Sequence, residues 1–396
     1  MRPRLVAALI GALMLALVLG APAGAAAKGP EIEARSWALI DARTGAVLAS
    51  HALARELPVA STTKLMTAYV ALHELPLDRI VRAAPYHAEY GESLLGLRPG
   101  QRISVRDLLY GLILRSGNDA AYDLARAAAG TEARFVAQMN RYAAALGLSD
   151  THFANPIGLD QRGNHSSAGD LATLTRRLLR IPAFARVADS RSAVLRSVRP
   201  PRRIETINEL LHMAPWVTGV KTGHTFGALY VLVGSGRRKG VELISVAIGA
   251  PTDEDRFRDN IELLRYGFSR YRRRRPIHAG QRLADPSIRY AGGSLPLRAA
   301  RTVAVGVRRG QRLSVAVRAP AEVEGPVQRG AGLGKATVTV DGLTVARVPL
   351  RAGRAVEKAG VLDRVEGYAN ENLVWLAALL SAILIGGALV LRRPTR

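Results

Sequence analysis

Three short motifs, Ser61-Thr62-Thr63-Lys64, Ser116-Gly117-Asn118 and Lys221-Thr222-Gly223, follow one another 55 and then 105 residues apart. Each tripeptide or tetrapeptide alone is common by chance. In this order they fit the three parts of a serine acyl-transfer site: S-x-x-K for a nucleophile and its base, S-x-N for proton handling and positioning, and K-T-G for carboxylate recognition. A fold that uses them must bring three remote segments to one place.

Lysine usage supports the reading independently. Of 56 basic residues only six are lysine (Lys28, Lys64, Lys221, Lys239, Lys335 and Lys358), yet two of the six fall in these motifs. Arginine stays protonated near neutral pH, whereas a lysine that is buried or crowded by another cation can lose its proton, as a general base must. Ser61 and Lys64 are three residues apart at the expected start of a helix running to about Leu72, so both side chains share one face.

The 396 residues, 48% hydrophobic and 22% charged, suit two globular domains with appendages. With no cysteine there are no disulfides, no thiolate catalysis and no cysteine-ligated metal. Arg2 and Arg4, the apolar stretch Leu5 to Leu19 and the small-residue run after Ala21 predict a signal peptide over residues 1–27. Residues 373–391 are uncharged and mostly apolar, flanked by Arg392 and Arg393, which predicts a transmembrane anchor with the tail inside and the bulk of the chain outside. The net charge of +24 then points to an anionic membrane surface or cell wall, and no nucleic-acid partner is expected.

Strand-like segments (Trp37–Ala42, Ala46–Ala49, and three after Pro215) flank a largely helical middle from Ser104 to about Arg180. This predicts an α+β domain over residues 28–275 whose sheet joins both ends of the segment. The run Arg270-Tyr271-Arg272-Arg273-Arg274-Arg275 reads as a helix end entering a linker. Residues 276–350 lose the helical period and read as a small all-β domain with a hairpin at Asp341-Gly342, followed by a linker over 351–372.

The chain resembles the low-molecular-mass penicillin-binding proteins of the serine-type D-alanyl-D-alanine carboxypeptidase family. Besides the three motifs, the resemblance rests on Ser116-Gly117-Asn118-Asp119-Ala120, Met139-Asn140, the run from Phe153 to Leu159, His165-Ser166-Ser167-Ala168 and, more loosely, Pro326 to Lys335. It implies a β-lactamase-like transpeptidase domain, then a β-rich domain. The implied activity is removal of the terminal D-alanine from peptidoglycan stem pentapeptides through an acyl-enzyme, with β-lactams as inhibitors and no cofactor. By the same resemblance Ser61 is the nucleophile and Lys64 its base, helped by the charge of Lys221. Ser116 and Asn118 relay a proton and hold the substrate amide. Lys221, Thr222 and Gly223 orient the carboxylate end, Arg256 binds that carboxylate, and backbone N–H groups of Ser61 and His224 form the oxyanion hole. Gly117 stands where many relatives carry alanine, a change expected to loosen its loop.

A serine β-lactamase would need a carboxylate for deacylation after the middle motif, usually in E-x-x-L-N, and no such motif occurs between Asn118 and Lys221. A D,D-endopeptidase on peptide cross-links would share the same residues. A catalytically silent, membrane-tethered wall-binding protein is disfavoured by the intact Ser61–Lys64 pair. His152, His165 and His212 lack metal-ligand spacing and read as turn or capping residues.

Overall fold

The computed structural model describes residues 29–371, 378 and 381–383. The signal-peptide reading of residues 1–27 and most of the apolar run at 373–391 lie outside the described residues. Among the described residues no helix is long and apolar enough to cross a membrane. The chain divides into two compact units: the first reaches Arg237 and includes Glu242–Phe268, and the second comprises Arg238–Val241 and everything from Ser269.

The strands of the first unit are β1 (Ser36–Asp41), β2 (Val47–His51), β3 (Ile80–Arg82), β4 (Arg102–Ser104), β5 (Ser192–Leu195), β6 (Arg202–Glu205), β7 (Val217–Thr225), β8 (Leu229–Arg238) and β9 (Val241–Ala250). Five of them form one sheet in the order β2-β1-β9-β8-β7, so strands from the two ends of the unit lie side by side. The direct β1–β9 pairing, Ser36 opposite Ile248 through Asp41 opposite Leu243, closes that arrangement. Apolar residues on these strands alternate between two clusters. Ala38, Ile40, Val231, Val233, Ile244, Val246 and Ile248 face the main helical core, while Leu232 packs on the other side with Phe257 and Ile261. Both faces of the sheet are therefore covered, and the period of two is what assigns each residue to its side.

The helices are α1 (Lys64–Glu74), α2 (Val105–Leu114), α3 (Asn118–Ala129), α4 (Glu132–Leu146), α5 (Ala168–Leu178), α6 (Pro182–Ala188), α7 (Leu210–Met213) and α8 (Asp253–Ser269). Their starts follow side-chain capping. Ser104, Thr131 and Ser167 each accept a hydrogen bond from the backbone N–H three residues on, which satisfies a donor the helix leaves orphaned. Gly147, at φ 72°, ends α4 in the left-handed conformation common at helix C-termini.

In the second unit Tyr271–Ile277 is a strand, β10, antiparallel to Val303–Arg308. The arginine run is therefore not a helix end: α8 stops at Ser269, and the run begins the β-rich unit several residues before position 276. Four consecutive exposed arginines carry no inside–outside alternation, which hid the strand. A five-stranded sheet follows, and its two longest strands, Gly332–Val340 and Leu343–Ala352, are joined at Asp341-Gly342. Both of those residues have positive φ, 50° and 78°, as the favoured two-residue hairpin turn requires. Ala336, Val338, Val340, Val348 and Leu350 supply the core of this unit.

Candidate active site

Ser61 sits in a single 3-10 turn, Ala60–Thr63, and α1 begins at Lys64. The nucleophile candidate thus lies just ahead of the helix, with the turn held by Thr62 Oγ1 donating to Val59 O at 2.6 Å. Ala60 occupies positive φ, 46°, a strained state for a residue with a side chain. Lys64 is fully buried, and its Nζ donates to Ser61 Oγ at 2.8 Å and to the carbonyl of Ile157 at 2.5 Å.

The loop that supplies Ile157 is pinned from several directions. Asn140 bonds both the N–H and the carbonyl of Phe153 at 2.8 Å, and Thr67 Oγ1 donates to Pro156 O at 2.5 Å. Asn155 Oδ1 accepts from Gly158 N at 2.6 Å. Gly158 has φ 88°, and a Cβ there would lie 2.1 Å from the carbonyl oxygen of Ala60, so only glycine lets this loop back onto the nucleophile turn. The Phe153-to-Leu159 run singled out in the sequence thus delivers a carbonyl to the base.

Ser116 and Asn118 lie between α2 and α3 and at the start of α3. Ser116 adopts φ 57°, and its hydroxyl accepts from Lys221 Nζ at 2.9 Å. Lys221, also fully buried, donates to Thr222 O at 2.7 Å as well. Gly117 does not loosen this segment. A Cβ there would lie 2.8 Å from the backbone nitrogen of Leu95, so the glycine permits close packing of the segment after β3.

Strand β7 carries Lys221, Thr222, Gly223 and His224 and ends the sheet, next to the Ser61 turn. A Cβ at Gly223 would reach 3.0 Å from Ser61 N. His224 is exposed and stacks on Tyr230 at 4.3 Å between ring centroids. Arg256, from the first turns of α8, is largely buried. It donates from Nη1 to Gly223 O at 2.9 Å, pairs with Asp253 and lies over the rings of Tyr230 and Phe257 at 5.2 and 4.9 Å. It is therefore a residue of the K-T-G strand's surroundings, and its buried Nε has no partner.

Burial pushes the Lys64 ammonium down from 10.5 to about 7, against the opposing pull of Glu92 and Asp119. The expectation that Lys221's charge does this is corrected: desolvation is the cause at Lys64. Lys221 is itself pushed well below its usual range, first by burial and then by the positive charges of Lys64 and Arg256. Two crowded, dehydrated amines favour a state in which at least one is neutral.

Sequence reasoning missed Glu92. Its carboxylate accepts from Asn118 Nδ2 at 2.6 Å and from the Tyr86 hydroxyl at 2.5 Å, while Glu89 N donates to its other oxygen at 3.0 Å. It sits in the irregular segment between β3 and β4, where no period or motif marks it. His152 and His165, by contrast, face each other across a backbone pair. Among the described residues no group of three His, Asp or Glu could hold a metal.

Residues 23–252 match the family model described as D-alanyl-D-alanine carboxypeptidase, and residues 271–358 match that of the penicillin-binding protein 5 C-terminal domain. The chain is 34% identical to D-alanyl-D-alanine carboxypeptidase DacC of Escherichia coli, over 88% of this chain and 92% of that protein. It is 30% identical to DacF of Bacillus subtilis, over 83% and 87% respectively. Among solved structures, penicillin-binding protein 6B of Escherichia coli superposes with a TM-score of 0.59 at 32% identity, covering 81% of this chain and 96% of that one. The chain belongs to the D-alanyl-D-alanine carboxypeptidase family, as a low-molecular-mass penicillin-binding protein. Its catalytic class is that of a serine-type D-alanyl-D-alanine carboxypeptidase, with a transpeptidase-like domain followed by a small β domain.

Proposed function

We propose that Ser61, Lys64, Ser116, Asn118 and Lys221 carry this chain's carboxypeptidase chemistry on peptidoglycan stem pentapeptides, and that Thr222, Gly223, His224 and Arg256 bind the substrate. The observation that carries the proposal is the 2.8 Å contact between a fully buried Lys64 Nζ and Ser61 Oγ. A neutral Lys64 donates one N–H to Ile157 O and turns its lone pair to the Ser61 hydroxyl, which is the arrangement a general base needs.

Ser61 Oγ then attacks the carbonyl of the penultimate D-alanine as its proton passes to Lys64. Backbone N–H groups of Ser61 and His224 receive the developing oxyanion, where one donor is worth about 10²–10³-fold in rate. The C–N bond breaks, the leaving D-alanine takes a proton through Ser116 and Lys221, and water later hydrolyses the Ser61 ester. As the last strand of its sheet, β7 offers backbone groups to an extended peptide. Arg256, buried beside that strand, supplies charge for a free terminal carboxylate, which favours a carboxypeptidase over an endopeptidase.

Export through residues 1–27, anchoring by residues 373–391 and acylation of Ser61 by β-lactams belong to the same proposal. Export and anchoring rest on the sequence pattern alone. The test is to incubate the purified chain with a pentapeptide and with a cross-linked dimer. Release of D-alanine from the former and an intact dimer support the reading; cleavage of the dimer alone would replace it with an endopeptidase.

A further inference from the structure

Asn118 is the residue proposed above to hold the substrate amide, and its own amide can face either way unless a neighbour decides. Glu92 decides it. An ionised carboxylate only accepts hydrogen bonds, so the 2.6 Å contact fixes the nitrogen end of the Asn118 side chain toward Glu92. This leaves the second Nδ2 hydrogen and Oδ1 for substrate and catalytic groups; Oδ1 is buried and has no partner.

The carboxylate stays ionised. Partial burial acts to raise its pKa, but hydrogen bonds from Asn118, Tyr86 and Glu89 N and the charge of Lys64 outweigh that and hold it below the usual range. Its segment is also fixed. Asn118 N donates to Ser93 O at 2.8 Å, and Asp119 accepts from the N–H groups of Leu95, Gly96 and Leu97 at 2.7–3.0 Å.

We infer that Glu92, braced by Tyr86, is a positioning residue that locks the Asn118 amide in its productive orientation and sets the field at the Ser61–Lys64 pair. The inference rests on the proposed roles of Ser61, Lys64 and Asn118. The charged groups that act on Lys64 are Glu92 and Asp119, which favour its ammonium, while Lys221 beside them is the group on which the Lys64 charge acts in turn.

The test uses the full chain and a fluorescent penicillin, with acylation rates followed from pH 5 to 9. In Glu92→Gln the neutral amide both accepts and donates, so Asn118 can flip; acylation should fall roughly tenfold at unchanged melting temperature. Loss of the negative charge should also move the acid limb to lower pH by roughly half a unit. Glu92→Asp, which keeps the carboxylate, should recover part of the rate. Tyr86→Phe leaves the charge in place and should slow acylation less, with its acid limb unmoved. A Glu92→Gln protein that acylates at the wild-type rate, or slows with its acid limb in place, overturns the inference. Wild-type protein that is not labelled at Ser61 overturns the site reading beneath it, whatever the Glu92 variants do.

Discussion

Replacing Lys64 with arginine keeps the positive charge and removes the ability to lose it. The size of the effect follows from burial. Moving an amine pKa from 10.5 to about 7 disfavours the ammonium by about 5 kcal/mol. At pH 7.5 an unperturbed lysine is neutral about one time in a thousand, whereas Lys64 is neutral roughly three times in four. Arginine in the same place has essentially no neutral form. Acylation of the wild type by a fluorescent penicillin, measured by stopped flow, should therefore rise with pH through a midpoint near 7. The sign is fixed by the base: as pH falls through 7, Lys64 takes up a proton and acylation is lost. Lys64→Arg should be slower by about 10³-fold on the plateau above pH 8, the loss expected when the general base is removed, with the gap narrowing at low pH as the wild type itself loses activity. A flat profile between pH 5 and 9, or a Lys64→Arg protein labelled at near-normal rate, would refute the assignment of Lys64 as base.

Arg256→Ala should lower kcat/KM on free pentapeptide by about 1.5–3 kcal/mol, the worth of a charged hydrogen bond, and slow penicillin acylation less; unchanged pentapeptide turnover would demote Arg256 to a brace for Gly223 O. Gly158→Ala places a Cβ 2.1 Å from Ala60 O at φ 88°, so it should lower Tm by several degrees and slow acylation together. A variant with wild-type melting and labelling would show that the loop does not set the nucleophile turn. Protease added to intact spheroplasts should degrade residues 28 to about 365 and spare a C-terminal tag, and loss of the tag would reverse the proposed topology.

Much of the site was legible because its parts are local. The S-x-x-K spacing and the Asp341-Gly342 turn are decided within a few residues: the structure keeps the turn and the Ser61–Lys64 contact, although Ser61 lies in a 3-10 turn just ahead of the helix. Features set by distant partners were not legible. Glu92 meets Asn118 from 26 positions away through a segment without regular structure, and Ile157 serves Lys64 through a backbone oxygen that carries no side-chain signature. The cause of the lowered Lys64 pKa was misread for a related reason. The nearby lysine was visible in the motif, whereas complete burial is a property of the packed unit. The arginines at 272–275 misled in the other direction, since an exposed strand and a solvated helix end share one composition.

The central claim is that Ser61 forms the covalent intermediate. Its most direct test is mass spectrometry of the full chain after reaction with penicillin, with peptide mapping of the adduct. One penicilloyl group per chain is expected, on the peptide containing Ser61, and none in Ser61→Ala. An adduct on another residue, or one that survives Ser61→Ala, would contradict the claim.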